Sequence, residues 1–398
     1  MVNMKVRKLK IENLEDAKKI IINSNCDECV YDKFSKKIIS EPFIVENIDN
    51  RAANILKQEA ISCGADVSVS KEVSLFKKGK STVVICANKN QIEKISLKIK
   101  EQPFGLKDLS KKIIEINSTQ LKQMVCSTKK ISLKNKPLVM GIINLSPDSF
   151  FKNGIEDETL ACEVAQEMQN YGADIIDVGA ESTRPGSKPV AVKEEVNKIK
   201  TFLKIFRKKS SIPVSIDTYK SEVAEVALGE GADIINDIYA LRYSKNMAKV
   251  ISKNKAAVVL MHMRKTPLTM QKDIKYNNVI SEIFNFLDKQ IEFALENGIK
   301  KDSIIVDPGI GFGKTVENNS LVIKRLFEFK SLNVPLLVGL SNKSFLAKII
   351  DDVDLDERLI ATIVADMISV LNGADILRVH NVKETKKSLK IIKALGSI

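Results

Sequence analysis

Residues 213–237 read PVSIDTYKSEVAEVALGEGADIIND, in which two short apolar runs, PVSID and DIIND, each end in a polar residue. Near-continuous apolar runs of this length are typical of parallel strands that are buried on both faces. The span between the two runs is long enough for a crossover helix. This stretch therefore predicts a strand–helix–strand unit of a parallel sheet.

The same pattern continues on both sides of this stretch. Six further runs are LVMGII (138–143), DIIDVG (174–179), AAVVLMH (256–262), IIVDP (304–308), PLLVG (335–339) and ILRVH (376–380). Helix-period segments such as Glu282–Asn297 and Asp356–Leu371 lie between them. Eight such units predict an α/β fold of the (β/α)8 TIM barrel class, whose usual length is about 250 residues. A doubly wound open sheet is the alternative, because the sequence does not show whether the sheet closes.

The first part of the chain follows a different pattern. Lys5–Ile11 and Ser81–Ala87 are predicted to be strands. Helical spacing of apolar residues is found in Leu14–Ile22, Arg51–Cys63, Gln91–Ile99 and Leu109–Ile116. We therefore predict a small α/β N-terminal domain over residues 1–128, followed by the barrel domain over 129–398. No group of residues in the first domain has a catalytic pattern, and its role stays open.

The composition is that of an ordinary globular protein, with 44% hydrophobic and 28% charged residues among 398. The net charge is +13, but arginine is scarce and no basic stretch is rich in aromatic residues, so nucleic-acid binding is not expected. No apolar run reaches the roughly 18 residues needed to span a bilayer. The basic N-terminus lacks the apolar segment of a signal peptide. We expect a cytoplasmic protein that has no membrane partner.

Six cysteines are scattered along the chain, which is typical of free thiols in a reducing compartment. Cys26 and Cys29 form a C-x-x-C pair, but no second pair follows it. A zinc site and an incidental spacing are the two interpretations, and incidental spacing is favoured.

The stretch DPGIGFGKT, residues 307–315, is superficially similar to a nucleotide-binding loop. That loop, G-x-x-x-x-G-K-[ST], needs a glycine five positions before Gly313. Pro308 occupies this position. The glycines instead let the backbone pass close beneath a flat ligand, beside Asp307 at the end of the sixth run.

Polar side chains collect where the eight runs end, which is the end of the strands where TIM barrels build their active sites. They are Asn144, Glu181, Ser182, Thr183, Arg184, Asp217, Asn236, Asp237, His262, Asp307, Ser341, Asn342, Lys343, Ser344, Arg378 and His380. Because every run contributes, one shared ligand site is favoured over a set of unrelated polar strand ends.

This set divides by chemistry into two groups. Asp217, Asn236, Asp307 and Lys343 offer the acceptors and donors that suit a flat, nitrogen-rich heterocycle. Donors and oxygen ligands that suit a phosphate group and its metal are found in Asn144, Thr183, Arg184, Ser344, Arg378 and His380. Mg²⁺ usually binds through substrate phosphates and few protein oxygens, so no carboxylate cage is needed.

These residues lie in ordered motifs, and the chain resembles the dihydropteroate synthase family. The matching segments are MGIINLSPDSF, GADIIDVGAESTRPGS, VSIDTYK, GADIINDI, LMHMRKTPLTMQ, DPGIGFGKTVENN, PLLVGLSNKSF and RVHNVKE, within residues 140–384. The resemblance implies a Mg²⁺-dependent transferase that joins an arylamine to 6-hydroxymethyl-7,8-dihydropterin pyrophosphate and releases pyrophosphate. We also expect a homodimer.

The resemblance implies roles residue by residue. The pterin would be held by Asp217, Asn236, Met261, Asp307, Gly311 and Lys343. The pyrophosphate would be held by Asn144, Ser344, Arg378 and His380, with Asn144 at the metal. The arylamine would lie among Thr183, Arg184, Phe312 and Ser341. Asp217, Asp307, Lys343, Thr183 and Arg184 are the expected catalytic residues.

Some loops depart from the usual family pattern. Asn342 replaces an arginine, Lys152 replaces a loop carboxylate, and Arg264-Lys265 replace Gln-Gly. The added positive charge favours an arylamine that carries more negative charge, such as a phosphorylated ribosyl derivative of the methanopterin pathway. Lineage drift around a p-aminobenzoate site is the equal alternative.

Two other functions remain alternatives. A pterin-dependent methyltransferase would share the barrel and the pterin carboxylates but needs no pyrophosphate site. The motifs STRPG, SNKS and RVH count against it. A non-enzymatic pterin-binding protein is the third class.

Overall fold

A computed structural model describes the chain except for residues 1–3, 8, 10, 12, 119–120, 122, 128, 135–136, 146–156, 182–189, 352–354 and 397–398. The chain divides into two compact units, Met1–Thr119 and Gln120–Ile398. This division lies a few residues before the predicted one, because a short hairpin at residues 123–132 belongs to the second unit. No helix among the described residues is long and apolar enough to cross a membrane.

The first unit combines helices with a three-stranded antiparallel sheet. Its helices are α1 (Leu14–Asn23), α2 (Tyr31–Ile38), α3 (Asn50–Ser62), α4 (Lys71–Ser74), α5 (Lys89–Ile99) and α6 (Leu106–Ser118), with a 3-10 turn at Glu28–Val30. Its strands are β1 (Phe43–Asp49), β2 (Asp66–Ser68) and β3 (Lys80–Cys86), in the order β1-β3-β2.

Apolar periodicity explains the core of this unit. Ile92, Ile95 and Ile99 recur along one face of α5 and are fully buried with Leu56 of α3 and Ile85 of β3. The four predicted helices are present, and the predicted strand at 81–87 is β3. The predicted strand at 5–11 was wrong, because residues 5–7, 9 and 11 form no strand. Their lysine-rich alternation leaves too little apolar surface to bury.

The second unit begins with the hairpin β4 (Gln123–Cys126) and β5 (Lys129–Ser132). Eight parallel strands follow: β6 (Leu138–Asn144), β7 (Ile175–Gly179), β8 (Val214–Asp217), β9 (Ile234–Asp237), β10 (Ala257–Met261), β11 (Ile304–Asp307), β12 (Leu337–Val338) and β13 (Ile376–Val379). Each of the eight predicted runs contains one of these strands.

The sheet closes on itself. Its hydrogen-bonded order is β11-β10-β9-β8-β7-β6-β13-β12, and a parallel bridge between Val306 and Leu336 joins the two ends. The Val306 amide donates to the Pro335 carbonyl over 2.9 Å at this seam. The predicted TIM barrel is therefore confirmed, and the open doubly wound sheet is excluded.

Helices surround the barrel. They are α7 (Glu158–Asn170), α8 (Val192–Phe206), α9 (Ser221–Gly229), α10 (Met247–Lys253), α11 (Val279–Glu296), α12 (Val316–Lys324), α13 (Ser344–Ile349), α14 (Leu355–Leu371) and α15 (Val382–Ala394), with 3-10 segments at Lys301–Ser303 and Leu326–Leu332. Inside the barrel, Met140, Ile175 and Val259 pack with Met124 and Cys126 of the hairpin. The hairpin therefore fills the amino-terminal end of the barrel, and the polar residues lie at the other end.

Candidate active site

The register of the barrel strands places the predicted polar residues side by side at the carboxyl ends of the strands. Asn144 pairs with Gly179, Gly179 with Asp217, and Asp217 with Asn236, so the last residues of β6, β7 and β8 and the last but one of β9 are neighbours. On the other side of β10, Met261 pairs with Asp307. Parallel strands that end together therefore build one rim from residues that are far apart in sequence.

A buried charge cluster lies at the centre of this rim. Arg378 Nε donates to Asp177 Oδ2 over 2.6 Å, and Arg378 Nη2 donates to Asp217 Oδ2 over 2.8 Å. Asn236 Nδ2 lies 3.3 Å from the same oxygen of Asp177. Arg378, which the sequence analysis assigned to an anion, is thus bonded to Asp217, which it assigned to a heterocycle.

Asp177 was missed by the sequence analysis. It is fully buried in the middle of β7, between Ile176 and Val178. A carboxylate inside an otherwise apolar strand is costly unless it has a partner or a ligand, and this was the available signal.

Two carboxylate oxygens of the cluster remain without hydrogen bonds. Asp177 Oδ1 and Asp217 Oδ1 are buried and have no partner among the described residues. Burial raises the pKa of Asp217 to about 7, with Arg378 acting to lower it and Asp177 acting to raise it. Burial acts to lower the pKa of Arg378, but Asp177 and Asp217 raise it above its ordinary value. The cluster therefore contains two acceptors that suit the N–H groups of a ligand.

The DPGIGFG segment forms a close-packed floor beside Asp307. Gly309 has φ +66°, and a Cβ on it would lie 1.9 Å from the His262 carbonyl oxygen. The Gly309 amide donates to Asp307 Oδ1 over 2.7 Å. Burial raises the pKa of Asp307, while this amide and then Lys343 act to lower it. Glycine is required at position 309, because the backbones of two loops meet there.

Lys343, Gly311 and Phe312 meet above this floor. The ammonium of Lys343 lies 4.0 Å from the centre of the Phe312 ring. A Cβ on Gly311 would lie 3.0 Å from the Lys343 side chain. The structure thus brings together a cation and the face of an aromatic ring next to Asp307.

His380 connects the ends of β6 and β12. Its Nδ1 lies 2.9 Å from Ser341 Oγ, and its Nε2 lies 3.5 Å from Asn144 Nδ2. Ser344 is the first residue of α13, directly after Lys343. Among the described residues no three His, Cys, Asp or Glu side chains are grouped to hold a metal ion. Since the Asn144 amide nitrogen faces His380, the Asn144 oxygen is the ligand atom that this corner can offer to a cation.

The unusual loop residues have partners of their own. Arg264 lies 5.1 Å from the Tyr276 ring, and Lys265 donates to the Lys272 carbonyl over 2.7 Å. Asn342 has φ +58°, a conformation that asparagine tolerates better than most residues. Thr183, Arg184 and Lys152 lie outside the described residues.

The known proteins that this chain resembles are pterin-binding enzymes. Residues 140–380 match the family of pterin-binding enzymes. The dihydropteroate synthase of Synechocystis sp. is 42% identical over 258 residues, 65% of this chain and 89% of that protein. The bifunctional dihydropteroate synthase/dihydropteroate reductase of Helicobacter pylori is 33% identical over 372 residues, 93% of this chain and 94% of that protein. The solved dihydropteroate synthase of Xanthomonas albilineans with 4-aminobenzoic acid has a TM-score of 0.64 at 33% identity, covering 70% of this chain and 99% of that one.

Proposed function

The chain belongs to the dihydropteroate synthase family, and on that premise we propose that it joins 6-hydroxymethyl-7,8-dihydropterin pyrophosphate to p-aminobenzoate in folate biosynthesis. The products are 7,8-dihydropteroate and pyrophosphate. The observation that carries the proposal is the buried carboxylate pair, Asp177 and Asp217, whose Oδ1 atoms have no hydrogen-bond partner among the residues that the structure describes. Ring N–H groups of a pterin supply the donors that these oxygens lack.

The pterin lies between the two halves of the rim. Asp217 and Asp307 accept hydrogen bonds from its N–H groups, and the Asn236 amide donates to a ring nitrogen. Met261 and Gly311 line the ring's faces, and Lys343 donates from the side that carries Phe312. These groups lie on strand ends or on the glycine floor, so the ring is oriented by parts of the fold that are already in place.

The pyrophosphate lies toward Asn144, Ser344, Arg378 and His380. Arg378 and His380 offer N–H donors to the leaving group, which gains negative charge as its bond to carbon breaks. We propose Mg²⁺ as the metal, bound by the pyrophosphate and by the oxygen of Asn144. When bound, Mg²⁺ neutralises charge on the leaving group.

The reaction replaces a carbon–oxygen bond by a carbon–nitrogen bond. The methylene carbon loses pyrophosphate, which leaves with both bonding electrons, and the positive charge spreads into the pterin ring. Asp217 and Asp307 stabilise this charge. The arylamine nitrogen, held beside Phe312 and Ser341 with Thr183 and Arg184, then donates its lone pair to the carbon and releases one proton.

We favour p-aminobenzoate over a phosphorylated ribosyl arylamine. The similar Xanthomonas albilineans structure contains 4-aminobenzoic acid. The ammonium of Lys265 lies 3.7 Å from Asp273, so this added charge is paired within the chain. The Arg264 guanidinium lies over Tyr276, and its buried Nη1 has no hydrogen-bond partner among the described residues.

The test offers the purified chain the pterin pyrophosphate with either arylamine and follows pyrophosphate release. We expect a higher kcat/KM with p-aminobenzoate. Equal or higher values with the phosphorylated compound would overturn the choice of arylamine. No pyrophosphate release with either compound would overturn the function itself.

A second activity is favoured by one observation. A match over 93% of the chain includes most of residues 1–119, and the Helicobacter pylori relative that provides it carries a dihydropteroate reductase activity in its name. We propose that this chain also reduces 7,8-dihydropteroate, with hydride transfer from a reduced nicotinamide or flavin nucleotide to the ring C=N carbon and a proton to the nitrogen. Incubation of the full chain with 7,8-dihydropteroate and each donor should yield tetrahydropteroate. No product with any donor would remove this proposal.

Self-association is proposed through α14. Ile360, Val364, Ile368 and Leu371 recur on one helical face and are 45–67% exposed. A contiguous exposed apolar face of this kind marks an interaction surface, and we propose a second copy of the chain as the partner. Light scattering should give a dimer for the wild type and a monomer for Ile360→Glu/Val364→Glu. A wild-type monomer would contradict the proposal.

A further inference from the structure

Lys314 is a buried cation that the reaction described above does not use. It follows the third glycine of the DPGIGFG floor and is only 3% exposed. Lysine side chains are almost never buried to this extent unless they are paired. Its position therefore calls for a physical explanation.

The ammonium of Lys314 has three hydrogen-bond acceptors. It donates to the Gly309 carbonyl over 2.7 Å and to the Phe312 carbonyl over 3.2 Å, and it lies 3.0 Å from His262 Nδ1. Three acceptors match the three hydrogens of an ammonium group. Burial, and then the charge of Lys314, lower the pKa of His262 well below its ordinary value, so the imidazole is neutral and accepts at Nδ1.

These contacts fix the shape of the floor. Gly309, Gly311 and Gly313 all have positive φ, of +66°, +85° and +64°. Glycine confers little rigidity of its own, because it populates many conformations. One ammonium that binds the carbonyls before and after Gly311 removes this freedom, and it thereby sets the position of the Phe312 ring against Lys343.

Lys314 also acts on the charge of Asp307. Both groups are buried, Lys314 acts to lower the pKa of Asp307, and Asp307 acts to raise that of Lys314. Burial, and to a smaller extent the charge of Lys343, lower the pKa of Lys314 to about 7. Lys343 and Arg378 are the other cations that act on Asp307, while Arg242 and Arg264 act on His262. Protonated Lys314 therefore favours the ionised form of Asp307.

We propose that Lys314 is a positioning residue of the pterin site, which holds the 309–313 floor and keeps Asp307 ionised without touching the substrate. The proposal rests on the proposed function, because it assumes that the pterin binds to Asp307 and to this floor. It predicts that loss of the Lys314 proton, at a pH of about 7, raises the KM for the pterin pyrophosphate, because the neutral amine has one hydrogen fewer for its three acceptors in the floor. This rise is measured against Lys314→Arg, in which only the ionisation of Asp217 changes the affinity over the same pH range. The KM for p-aminobenzoate should change less.

The experiment compares Lys314→Met, which is never charged, with Lys314→Arg, which is always charged. We expect a pterin KM about tenfold higher in Lys314→Met at every pH, and a low KM in Lys314→Arg that does not rise between pH 7 and 9. The alkaline rise should appear only in the wild type. If Lys314 only filled space in the core, the pterin KM would not depend on pH in this way.

Several results would overturn the proposal. One is an unchanged pterin KM in folded Lys314→Met, and another is an alkaline rise that persists in Lys314→Arg. If Lys314→Met does not fold, the comparison of wild type with Lys314→Arg still decides. Absence of wild-type pyrophosphate release would instead count against the proposed function, so the two failures are distinguishable.

Discussion

The barrel rim and the first unit both bury polar groups, but the two sets of groups differ in charge and in how completely they are hydrogen-bonded. In the first unit, Asn50 donates to the Lys77 carbonyl over 2.8 Å and accepts from Ser81 over 2.7 Å. Ser110 donates to the Ser96 carbonyl over 2.7 Å. At the rim, the buried groups are charged, and within the described part of the chain Asp177 and Asp217 each keep one oxygen without a hydrogen-bond partner. Satisfied neutral groups indicate structure, whereas buried charges with free acceptors indicate a ligand site.

The largest expected effect comes from breaking the charge cluster at the rim. Arg378→Met leaves Asp177 and Asp217 buried without their cation, which should cost about 3–5 kcal/mol of unfolding free energy and abolish turnover. Arg325→Met is the control, since its half-exposed pair with Glu328 should contribute at most about 1 kcal/mol. Denaturant unfolding checks both values. Equal losses would remove the contrast between buried and exposed pairs.

The second prediction compares two glycines with positive φ. Gly309→Ala and Gly105→Ala both impose a left-handed conformation on alanine, at a cost of about 1–2 kcal/mol. Only Gly309 would place its Cβ against backbone, since nothing lies within 4 Å of a Cβ at Gly105. We expect a further loss of about 1–3 kcal/mol and a raised pterin KM for Gly309→Ala alone. A similar loss in thermal unfolding at both positions would contradict the close-packed floor.

A third substitution separates stability from activity within the first unit. Asn50→Ala leaves the Lys77 carbonyl and Ser81 without their partner, which should cost about 1–3 kcal/mol of unfolding free energy. The KM for the pterin should stay unchanged in the folded variant. A changed pterin KM would show that the first unit takes part in the synthase site.

The smallest effect is a shift in a pH profile. The raised pKa of Asp217, about 7, means that its carboxylate accepts N–H groups only as the pH rises through that value. In Lys314→Arg, where the cation beside Asp307 does not titrate, pterin affinity should therefore increase over this range. Asp177 acts to raise this pKa. Asp177→Asn should therefore move the acid limb of kcat/KM to lower pH. If the acid limb stays at the same pH in Asp177→Asn, Asp177 does not act on the pKa of Asp217.

Much of the fold follows from local patterns. The eight apolar runs locate the eight strands, because a strand that is buried on both faces has few polar residues. Closure rests on the pairing of the first barrel strand with the last, β6 with β13, whose paired residues Met140 and Arg378 are far apart in sequence, so no local pattern predicts it. The sequence Lys5–Ile11 has the alternation of a strand, but its described residues, 5–7, 9 and 11, form none.

The candidate site was predictable where a polar residue ends a strand, as with Asp217, Asn236 and Asp307. Asp177 was missed because it lies inside a strand, where the sequence does not reveal which side chains face the barrel interior. The contacts of Lys314 depend on the turn that three left-handed glycines impose, and this turn could not be derived from residue types alone.

The most direct test of the account is the calorimetric affinity for 6-hydroxymethyl-7,8-dihydropterin pyrophosphate in Asp217→Asn. Asn replaces an acceptor-only carboxylate by an amide of the same shape, so the loss should be about 1.5–3 kcal/mol, or roughly 10–150-fold. Asp157→Asn is the matched control, because asparagine also caps the exposed start of α7. The account predicts weak binding by Asp217→Asn and wild-type binding by Asp157→Asn. Wild-type affinity in Asp217→Asn would contradict the assignment of the buried carboxylates to the pterin.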